Sequence, residues 1–444
     1  MFILRDLLTP LQTAFSDTSK GQERATWFNY TLLAILVPLT CSRTSNLLRG
    51  LNSLFGISIS SRRYYTFMAS PRLPWEKVWT ILWKSIPQPL TSGRLILALD
   101  DSINIKTGRK IFACQHFFDH AAKTNQCRYP WSQNIVVVGL LKQIHGRWCC
   151  LPMGFAFYFM QKTLAQRVVK MGKIPVTFKT KFEQAVQMIS ALAAVFTQVP
   201  ILVVTDSWFG NAGLLKPLRG SIGQQVHILS RLRVNSALYA LPKPRTGKAR
   251  RGRPRKYGAR LGSVADRAAE VQSLARSYSV ALYGRVREVW AFDEVVMLKS
   301  LRCKVRVVWV FRRRQWIALV TTDLDLSVAQ IIEYYGARWK IEAGFKEIKQ
   351  EIGSASSQSR SPFAVTNHLQ FCMAATTLTW LYAARLDKAP ARRYATQKRT
   401  EFAFADVRRI IAHEIGQPNF DIGCSKTTKP AQNSLIQIFM RLVA

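Results

Sequence analysis

Residues 331–350 read IIEYYGARWKIEAGFKEIKQ, and the rest of the chain is best interpreted outward from this stretch. Helix-forming residues dominate it and no proline interrupts it, so it predicts an α-helix. Ile331, Phe345 and Ile348 recur at near-helical intervals. These apolar side chains would form a stripe that packs on a core.

Four polar residues follow one side of the predicted helix. They are Tyr335, Arg338, Glu342 and Lys349, at offsets 0, 3, 7 and 14. At about 100° per residue, these positions fall within about 60° of one another on a helical wheel. Most such lines are solvated charged faces, in which Arg338 and Glu342 would form an ordinary i,i+4 pair. The alternative is a functional carboxylate held between two cations and a phenol.

The spacing Tyr-x2-Arg-x3-Glu-x6-Lys resembles the glutamate helix of DDE transposases from bacterial insertion sequences. The resemblance is to the group with a Tyr-Arg-Glu-Lys motif, and all four positions match without a gap. It extends over most of residues 90–385. It implies an α/β, ribonuclease-H-like catalytic core whose active site contains two aspartates and this glutamate.

The charge of the chain indicates a polyanionic partner. The 444 residues contain 64 Lys and Arg against 25 Asp and Glu, a formal charge of +39. A hydrophobic fraction of 48% with 12 Trp excludes a disordered basic tail and predicts a folded protein with two or three domains. Because so large an excess of cations is typical of proteins that bind nucleic acid, nucleic acid is the expected partner, and the resemblance implies that it is double-stranded DNA.

Cysteine usage and hydropathy predict an intracellular protein. The eight cysteines include the adjacent pair Cys149 and Cys150 but no CxxC, which favours reduced thiols. The apolar run 30–39 is too short to span a bilayer and contains Pro38. We therefore expect a cytoplasmic, nucleoid-associated protein with neither a membrane partner nor a small-molecule substrate.

The middle of the chain alternates strands and helices in the order of a ribonuclease-H-like fold. Apolar runs predict strands, and amphipathic runs predict helices. The predicted strands are 95–99, 134–141, 148–159, 201–205 and 226–229, and the predicted helices are 180–196 and 212–218. Two of these strands end in aspartate, at Asp100 and Asp206, where parallel strands would open into a crevice.

Asp100, Asp206 and Glu342 are therefore the candidate catalytic residues and metal ligands. Three carboxylates on separate elements suit two Mg²⁺ ions, because hard divalent cations prefer oxygen ligands. Each aspartate alone could be a helix N-cap or a turn residue. Asp101 is an alternative to Asp100, although the resemblance favours Asp100. The expected cofactor is Mg²⁺ as two ions, with Mn²⁺ as a substitute.

The resemblance also implies a reaction and DNA contacts. The reaction is hydrolytic nicking at the ends of the element, followed by joining of the 3′-hydroxyl to target DNA. Tyr335, Arg338 and Lys349 would contact phosphates near the cleaved bond. A homodimer in the DNA complex is expected.

The first 90 residues read as helical. The segments 44–52 and 60–69, separated by the Phe55-Gly56-Ile57 turn, suggest a helix-turn-helix with Arg62 and Arg63 on its second helix. Most helical hairpins of this kind only stabilise a fold. The positive charge of the chain favours the alternative interpretation, in which this hairpin binds DNA.

Residues 239–324 are expected to be a β-strand insertion. Its strands are predicted at 280–289, 294–301, 304–311 and 316–321. A polar run at its start contains Arg251 and Arg253 within RGRPRK. These arginines could enter a narrow minor groove, or the run could be a flexible loop that touches phosphates non-specifically.

The predicted division of the chain has five parts. They are a helical N-terminal DNA-binding domain (1–90), the first part of the core (91–238), the β insertion (239–324), the second part of the core with the glutamate helix (325–385), and a C-terminal region of unassigned role (386–444).

Three other functions stay open. Cys114, His116, His120 and Cys127 could surround zinc, but their spacing matches no standard site. The same core could belong to a metal-dependent nuclease that never joins DNA strands. The third function is that of a non-catalytic DNA-binding protein derived from a transposase, and the three acidic residues argue against it because such a protein would need no clustered carboxylates.

Overall fold

The structure is a computed structural model that describes residues 2–39, 41–243, 255–312, 315–396, 400–417 and 419–422. Arg251 and Arg253 lie outside these ranges. The helices are α1 (Ile3–Leu8), α2 (Ser19–Leu36), α3 (Thr44–Arg49), α4 (Ser61–Met68), α5 (Trp75–Lys84), α6 (Gln161–Gln166), α7 (Lys181–Val195), α8 (Ala212–Ile222), α9 (Val264–Val271), α10 (Val328–Lys346), α11 (Pro362–Arg385) and α12 (Phe404–Ile415).

The strands fall into one large sheet and one small hairpin. They are β1 (Leu95–Ile105), β2 (Cys114–His116), β3 (Trp131–Ile144), β4 (Arg147–Tyr158), β5 (Lys170–Met171), β6 (Ile174–Pro175), β7 (Ile201–Thr205), β8 (Val226–Arg231), β9 (Ala237–Tyr239), β10 (Arg260–Ser263), β11 (Arg276–Leu282), β12 (Arg285–Leu298), β13 (Cys303–Arg312) and β14 (Gln315–Thr321). The order in the large sheet is β10-β9-β12-β13-β14-β8-β7-β1-β3-β2, with β4 on β3 and β11 on β12.

The centre of the sheet is parallel and fully buried. β1 pairs in parallel with β7, and β7 in parallel with β8, while β3 and β4 add antiparallel strands beyond β1. All five residues of β7 and the first five of β1 are buried. Strands covered by helices on both faces need such continuous Val, Ile and Leu runs. The predicted strand at Ile201–Thr205 is confirmed.

The N-terminal helices pack on α11 of the core. α11 contacts α1, α2, α4, α5 and α12 as well as β4, and each of these elements contributes buried apolar residues to one hydrophobic cluster. The guanidinium of Arg408 on α12 is buried and donates to the carbonyls of Ile35 and Leu36 at the end of α2. The predicted boundary near residue 90 stays a prediction.

The β-rich segment joins the same sheet edge to edge. β14 pairs antiparallel with β8, so the backbone ladder continues from the parallel centre into β13 and β12. The strand predicted at 280–289 is wrong, because a hairpin turn at Tyr283 and Gly284 divides it into β11 and β12. Both turn residues have positive φ, 55° and 74°, as a two-residue hairpin turn of type I′ requires.

The helix predicted from 331 to 350 begins earlier and changes its winding before its end. Ser327 and Gln330 form a capping box that starts α10 at Val328. From Glu347 to Glu351 the chain turns as a π-helix. Lys349 therefore lies on wider turns than a regular α-helical wheel assumes.

Two further sequence expectations concern the membrane and the thiols. Of the helices in the described ranges, none is long and apolar enough to cross a bilayer. The cysteines at positions 41, 114, 127, 149, 150, 303 and 372 are all free thiols.

Candidate active site

Asp100 projects from the interior of a strand. Predicted at the end of a short strand, it lies within β1, which continues to Ile105 because its polar half still pairs with β3. The parallel ladder to β7 stops one residue earlier, at Leu99 opposite Thr205. Asp100 therefore lies where the two parallel strands begin to separate, and its side chain is only 20% exposed.

Asp206 begins the turn that follows β7. Its carboxylate accepts hydrogen bonds from the backbone N–H groups of Trp208 and Phe209, both at 3.0 Å. The hydroxyl of Ser230 on β8 donates to the Asp206 carbonyl at 2.6 Å. Gly210 lets this turn approach β8, since a Cβ there would lie 2.2 Å from the Ser230 hydroxyl oxygen. The turn that carries Asp206 is thus held at both its side chain and its backbone.

Asp101 points away from α10. Its carboxylate accepts from the Asn134 side chain at 2.7 Å and forms an ion pair with Lys181, at the start of α7, at 2.8 Å. Neighbouring residues of a strand face opposite sides of a sheet. Asp100 therefore faces α10 and Asp101 faces α7.

Arg338 joins two of the three candidate carboxylates. Its guanidinium donates to Asp100 at 3.2 Å and to Glu342 at 3.0 Å. The Arg338 side chain is 10% exposed and that of Glu342 is 38% exposed. The buried Nε of Arg338 has no hydrogen-bond partner. The ring of Tyr335 lies 5.7 Å from the guanidinium carbon. The i,i+4 pair expected from the sequence is present, and Asp100 is its third member.

Burial and charge together set the protonation of these groups. Burial raises the pKa of the Asp100 carboxyl to about 7, Arg338 opposes that rise, and the nearby Asp206 adds to it. Burial also raises the pKa of Glu342, against the opposing effect of Arg338. Asp206 lies in the turn after β7, the strand that pairs in parallel with β1, and its charge contributes to the raised pKa of the Asp100 carboxyl. Carboxyls of this kind favour a cation between them.

Lys349 and Tyr335 belong to the same predicted motif, and their polar groups already have partners within the protein. The Lys349 ammonium donates to the hydroxyl of Ser102 at 2.6 Å and to the carbonyl of Ile103, both on β1. Burial lowers the pKa of Lys349 to about 8 and raises that of the Tyr335 phenol. A DNA phosphate would therefore have to replace internal partners of Lys349.

The carboxylate oxygens of Asp100, Asp206 and Glu342 are ligands that suit a hard cation, but these side chains are not close enough together to hold one in this arrangement. Asp100 and Glu342 already share a positive group, the Arg338 guanidinium. In the described residues, no group of three or more His, Cys, Asp or Glu side chains is close enough together to hold a metal ion. A metal bound by both Asp100 and Glu342 requires that Arg338 leave the space between them.

The arrangement of Cys114, His116, His120 and Cys127 bears on the alternative prediction of a zinc site. His116 makes a hydrogen bond from Nδ1 to the Tyr129 carbonyl, Cys114 is buried, and Cys127 is exposed. These residues are not among any metal-sized group found in the described ranges. The structure gives the zinc interpretation no support.

Arg62 and Arg63 lie far along the chain from this cluster, on α4. Both are exposed, but Arg63 donates to both carboxylate oxygens of Glu23 at 2.9 Å and lies over the Trp27 ring at 5.0 Å. Arg62 has the more accessible charge. α3 continues as a π-helix over Gly50–Leu54, and a turn that contains Gly56, at a φ of 65°, leads to α4. Two helices separated by a turn are therefore present, and their role in DNA binding stays a prediction.

Sequence reasoning missed the surroundings of Asp206 and Asp101. Trp208, two residues after Asp206, is a large aromatic with 44% of its surface exposed. Lys181 pairs with Asp101, although 80 residues separate them. The motif Asp-Ser-Trp-Phe-Gly could have drawn attention to Trp208. Lys181 is the first residue of α7, directly after a Lys-rich stretch, and nothing in the local sequence distinguishes it.

The fold and this cluster define a class of protein, namely mixed α/β proteins that gather carboxylates where parallel strands separate. The family is then shown by sequence. The profile of the family described as DDE superfamily endonuclease matches residues 15–281, more than half of the chain. The chain belongs to this family. No curated protein matches it.

Family membership supports part of the sequence interpretation. The mixed sheet with its helices is consistent with a ribonuclease-H-like DDE fold, and the family acts as endonucleases on DNA. The matched region contains Asp100 and Asp206 but ends before α10. The place of Glu342 in the site therefore depends on its geometry relative to Asp100.

Proposed function

We propose that this protein is a transposase that cleaves DNA at the ends of an insertion sequence and joins the ends to target DNA. The observation that carries the proposal is the pair of carboxylates on β1 and α10, Asp100 and Glu342, which Arg338 joins. Asp206 lies in the turn after β7, the strand that pairs in parallel with β1. Burial raises the pKa of the Asp100 and Glu342 carboxyls, and carboxyls perturbed in this way are candidates for functional groups. The formal charge of +39 favours DNA as the substrate.

Enzymes of this superfamily generally use divalent metal ions, and Asp100, Asp206 and Glu342 are the residues that we propose as ligands. When bound, two Mg²⁺ ions would activate the attacking hydroxyl and stabilise the leaving oxygen. Mn²⁺ would substitute, since it also prefers oxygen ligands. Arg338, displaced from the carboxylates, would then be free to hold a phosphate oxygen through its planar guanidinium.

The assignment of Asp100 over Asp101 is part of this proposal. Asp100 faces α10 and Glu342, whereas Asp101 is paired with Lys181 on the other side. Asp100→Asn, Asp206→Asn and Glu342→Gln should each abolish metal-dependent cleavage and leave DNA binding intact, because none of them removes a cation.

Two matched controls test the choice of residues. Asp101→Asn changes the neighbouring carboxylate, and Glu333→Gln changes another glutamate of α10, whose partners are Gln143 and Trp148. Both should retain cleavage. Undiminished cleavage by Glu342→Gln would overturn the site assignment. Cleavage without joining of the ends would instead indicate a nuclease.

DNA contacts of Arg338 and Lys349 are proposed on charge and position. Replacement of either residue by Ala should weaken DNA binding and lower the salt dependence by about one unit per lost phosphate contact. On α4, Arg62→Ala should weaken binding more than Arg63→Ala, since Arg63 is neutralised by Glu23. Unchanged salt slopes for Arg338→Ala and Lys349→Ala would indicate that these residues only stabilise the fold.

The basic run with Arg251 and Arg253 is proposed as a minor-groove contact. Arginine prefers the narrow grooves of A·T-rich DNA, where the negative potential is strongest. Arg253→Ala should then lose more affinity for A·T-rich than for G·C-rich duplexes at equal salt. An equal loss on both would mean a non-specific electrostatic tether. A homodimer in the DNA complex is also part of the proposal.

A further inference from the structure

The segment between β4 and α7 carries positive charge and no negative charge. It covers residues 161–179, contains α6, β5 and β6, and we call it the basic segment. Its cations are Lys162, Arg167, Lys170, Lys173 and Lys179. No Asp or Glu occurs anywhere between Asp119 and Glu183. The excess of cations in the chain is therefore concentrated here, without acidic neighbours in the sequence that would neutralise it.

The basic segment is folded onto a small hydrophobic cluster that is separate from the main core. The cluster comprises Ile111, Phe112, Ala113, Cys114, Phe159 and Val365. The segment covers it with Leu164, Val169, Met171 and Val176. Arg167 donates to the Cys114 carbonyl at 3.0 Å. The turn between β5 and β6 has Gly172 at a φ of 63°, and a Cβ there would lie 3.0 Å from the Phe363 ring. The backbone of the segment is thus held in place, so a ligand would not have to order it.

Three cations of the basic segment have no partner among the described residues. Lys162, Lys170 and Lys173 are exposed, and none of them makes a hydrogen bond or an ion pair there. An exposed arginine elsewhere does have a carboxylate partner, since Arg63 pairs with Glu23 at 2.9 Å. Like charges on one surface repel one another, and this repulsion disfavours the compact state. Binding of a polyanion would remove that repulsion.

Both ends of the basic segment lie beside the proposed active site. The segment follows β4, whose last residue is Tyr158, and precedes α7, whose first residue is Lys181. The Lys181 ammonium lies 5.2 Å from the Tyr158 ring centroid and 2.8 Å from the Asp101 carboxylate. Asp101 is the neighbour of Asp100 on β1. The segment therefore flanks the position at which the reacting phosphate is proposed to bind.

We propose that the basic segment binds the phosphate backbone of the DNA duplex beside the cleaved bond. Lys162, Lys170 and Lys173 would each neutralise a phosphate, and the release of condensed counterions would drive binding without sequence preference. This inference rests on the proposed function, since its ligand is the DNA that is cleaved. An anionic membrane surface would also attract these cations, and the exposed Val168 and Ile174 would suit it. DNA is favoured because the family acts on DNA and because the segment flanks the carboxylates.

The test measures DNA affinity in EDTA, where no cleavage occurs, at several salt concentrations. The triple variant Lys162→Gln, Lys170→Gln, Lys173→Gln should bind a duplex of arbitrary sequence with a salt slope lower by about 2.7, because each phosphate contact contributes about 0.9. The matched control replaces three exposed lysines on other elements by Gln, namely Lys84, Lys216 and Lys388. Its slope should change by less than about one unit. Equal changes in the two triple variants would reflect net charge alone and would overturn the inference.

Further variants separate charge from folding. Lys162→Arg, Lys170→Arg and Lys173→Arg together keep every charge and should keep the wild-type slope. Each single Lys→Gln change should lower the slope by about 0.9, so the contacts can still be measured if the triple variant has a low melting temperature. Binding to vesicles of phosphatidylserine and phosphatidylcholine tests the membrane alternative. A triple Gln variant that loses vesicle binding but keeps the wild-type DNA slope would overturn the inference in favour of a membrane surface.

The position of the contact is tested with neutral methylphosphonate linkages, once the cleaved bond has been mapped. Placed beside that bond, they should weaken binding of the wild-type protein much more than binding of the triple Gln variant. Equal weakening of both proteins would overturn the placement.

Failure of this inference and failure of the proposed function give different results. If the wild-type protein cleaves DNA in Mg²⁺ while the triple Gln variant keeps the wild-type salt slope, only the role of the basic segment is refuted. If the wild-type protein never cleaves DNA, the proposed function is refuted, and the salt slopes in EDTA still report whether the segment binds a duplex.

Discussion

Replacement of Arg338 by Met should strengthen metal binding in the absence of DNA. The guanidinium occupies the space between Asp100 and Glu342, so a metal ion must displace two charge-assisted hydrogen bonds. The bond to Asp100, whose side chain is 20% exposed, is worth about 2 kcal/mol, and the bond to the more exposed Glu342 about 1 kcal/mol. The sum of about 3 kcal/mol corresponds to a roughly 100-fold gain in affinity.

The assay is calorimetric titration of the protein with Mn²⁺ at one pH and without DNA, so that no catalytic activity is required. Lys346→Met is the matched control, because it removes one exposed cation from the same helix and should leave the affinity nearly unchanged. DNA should raise the Mn²⁺ affinity of the wild type, since a phosphate gives Arg338 another partner, and should raise that of Arg338→Met much less. If Arg338→Met binds Mn²⁺ no more tightly than Lys346→Met, the reasoning is refuted.

Three other changes test the packing around the site. Glu347 is buried against Trp380, and burial raises its pKa from 4.5 to about 8 despite Arg147 and Lys340 nearby, with Glu351 adding to the rise. Between pH 4.5 and about 8 the folded protein therefore holds a proton that the unfolded chain releases. The free energy of unfolding should fall by about 1.4 kcal/mol for each unit by which the pH rises in this range. Glu347→Gln should remove that slope when chemical denaturation is measured at several pH values. Arg408→Met leaves buried carbonyls of α2 without donors and should cost about 3–5 kcal/mol in the same assay, whereas the exposed Arg62→Met should cost almost nothing. Gly210→Ala should push Ser230 away from the Asp206 carbonyl and reduce both the melting temperature and the DNA cleavage rate, while Gly220→Ala, which meets open space, should preserve both; an unaffected Gly210→Ala would show that the turn is more adaptable than its contacts indicate.

Local sequence was sufficient for the elements whose pattern is continuous. β7 and the first half of β1 are uninterrupted apolar runs, and α10 has the spacing of a helix that buries one side. The extension of β1 through Asp100 to Ile105 could not be predicted, because its polar half is held by pairing with the distant β3. Likewise, nothing before Tyr283 shows that this tyrosine takes a positive φ and ends β11.

The residues of the candidate site also divide into those that local sequence predicts and those whose contacts depend on distant parts of the chain. The i,i+4 relation of Arg338 and Glu342 follows from helical geometry, and the two aspartates are predicted from the ends of the apolar runs that precede them. That Arg338 also binds Asp100 depends on how α10 crosses β1, which no local pattern contains. The π-turn that carries Lys349 towards Ser102 is equally invisible in the spacing of the motif.

The sheet curls between β1 and β11, so that both strands contact the same helix. Six strand pairings separate β1 from β11, through β7, β8, β14, β13 and β12. Nevertheless β11 packs on α10, where a Cβ on Gly336 would lie 2.6 Å from the Leu282 side chain. Arg338, two residues after Gly336, reaches Asp100 on β1. A displacement of the β11–β12 hairpin would therefore be passed to α10 and to the guanidinium between the two carboxylates.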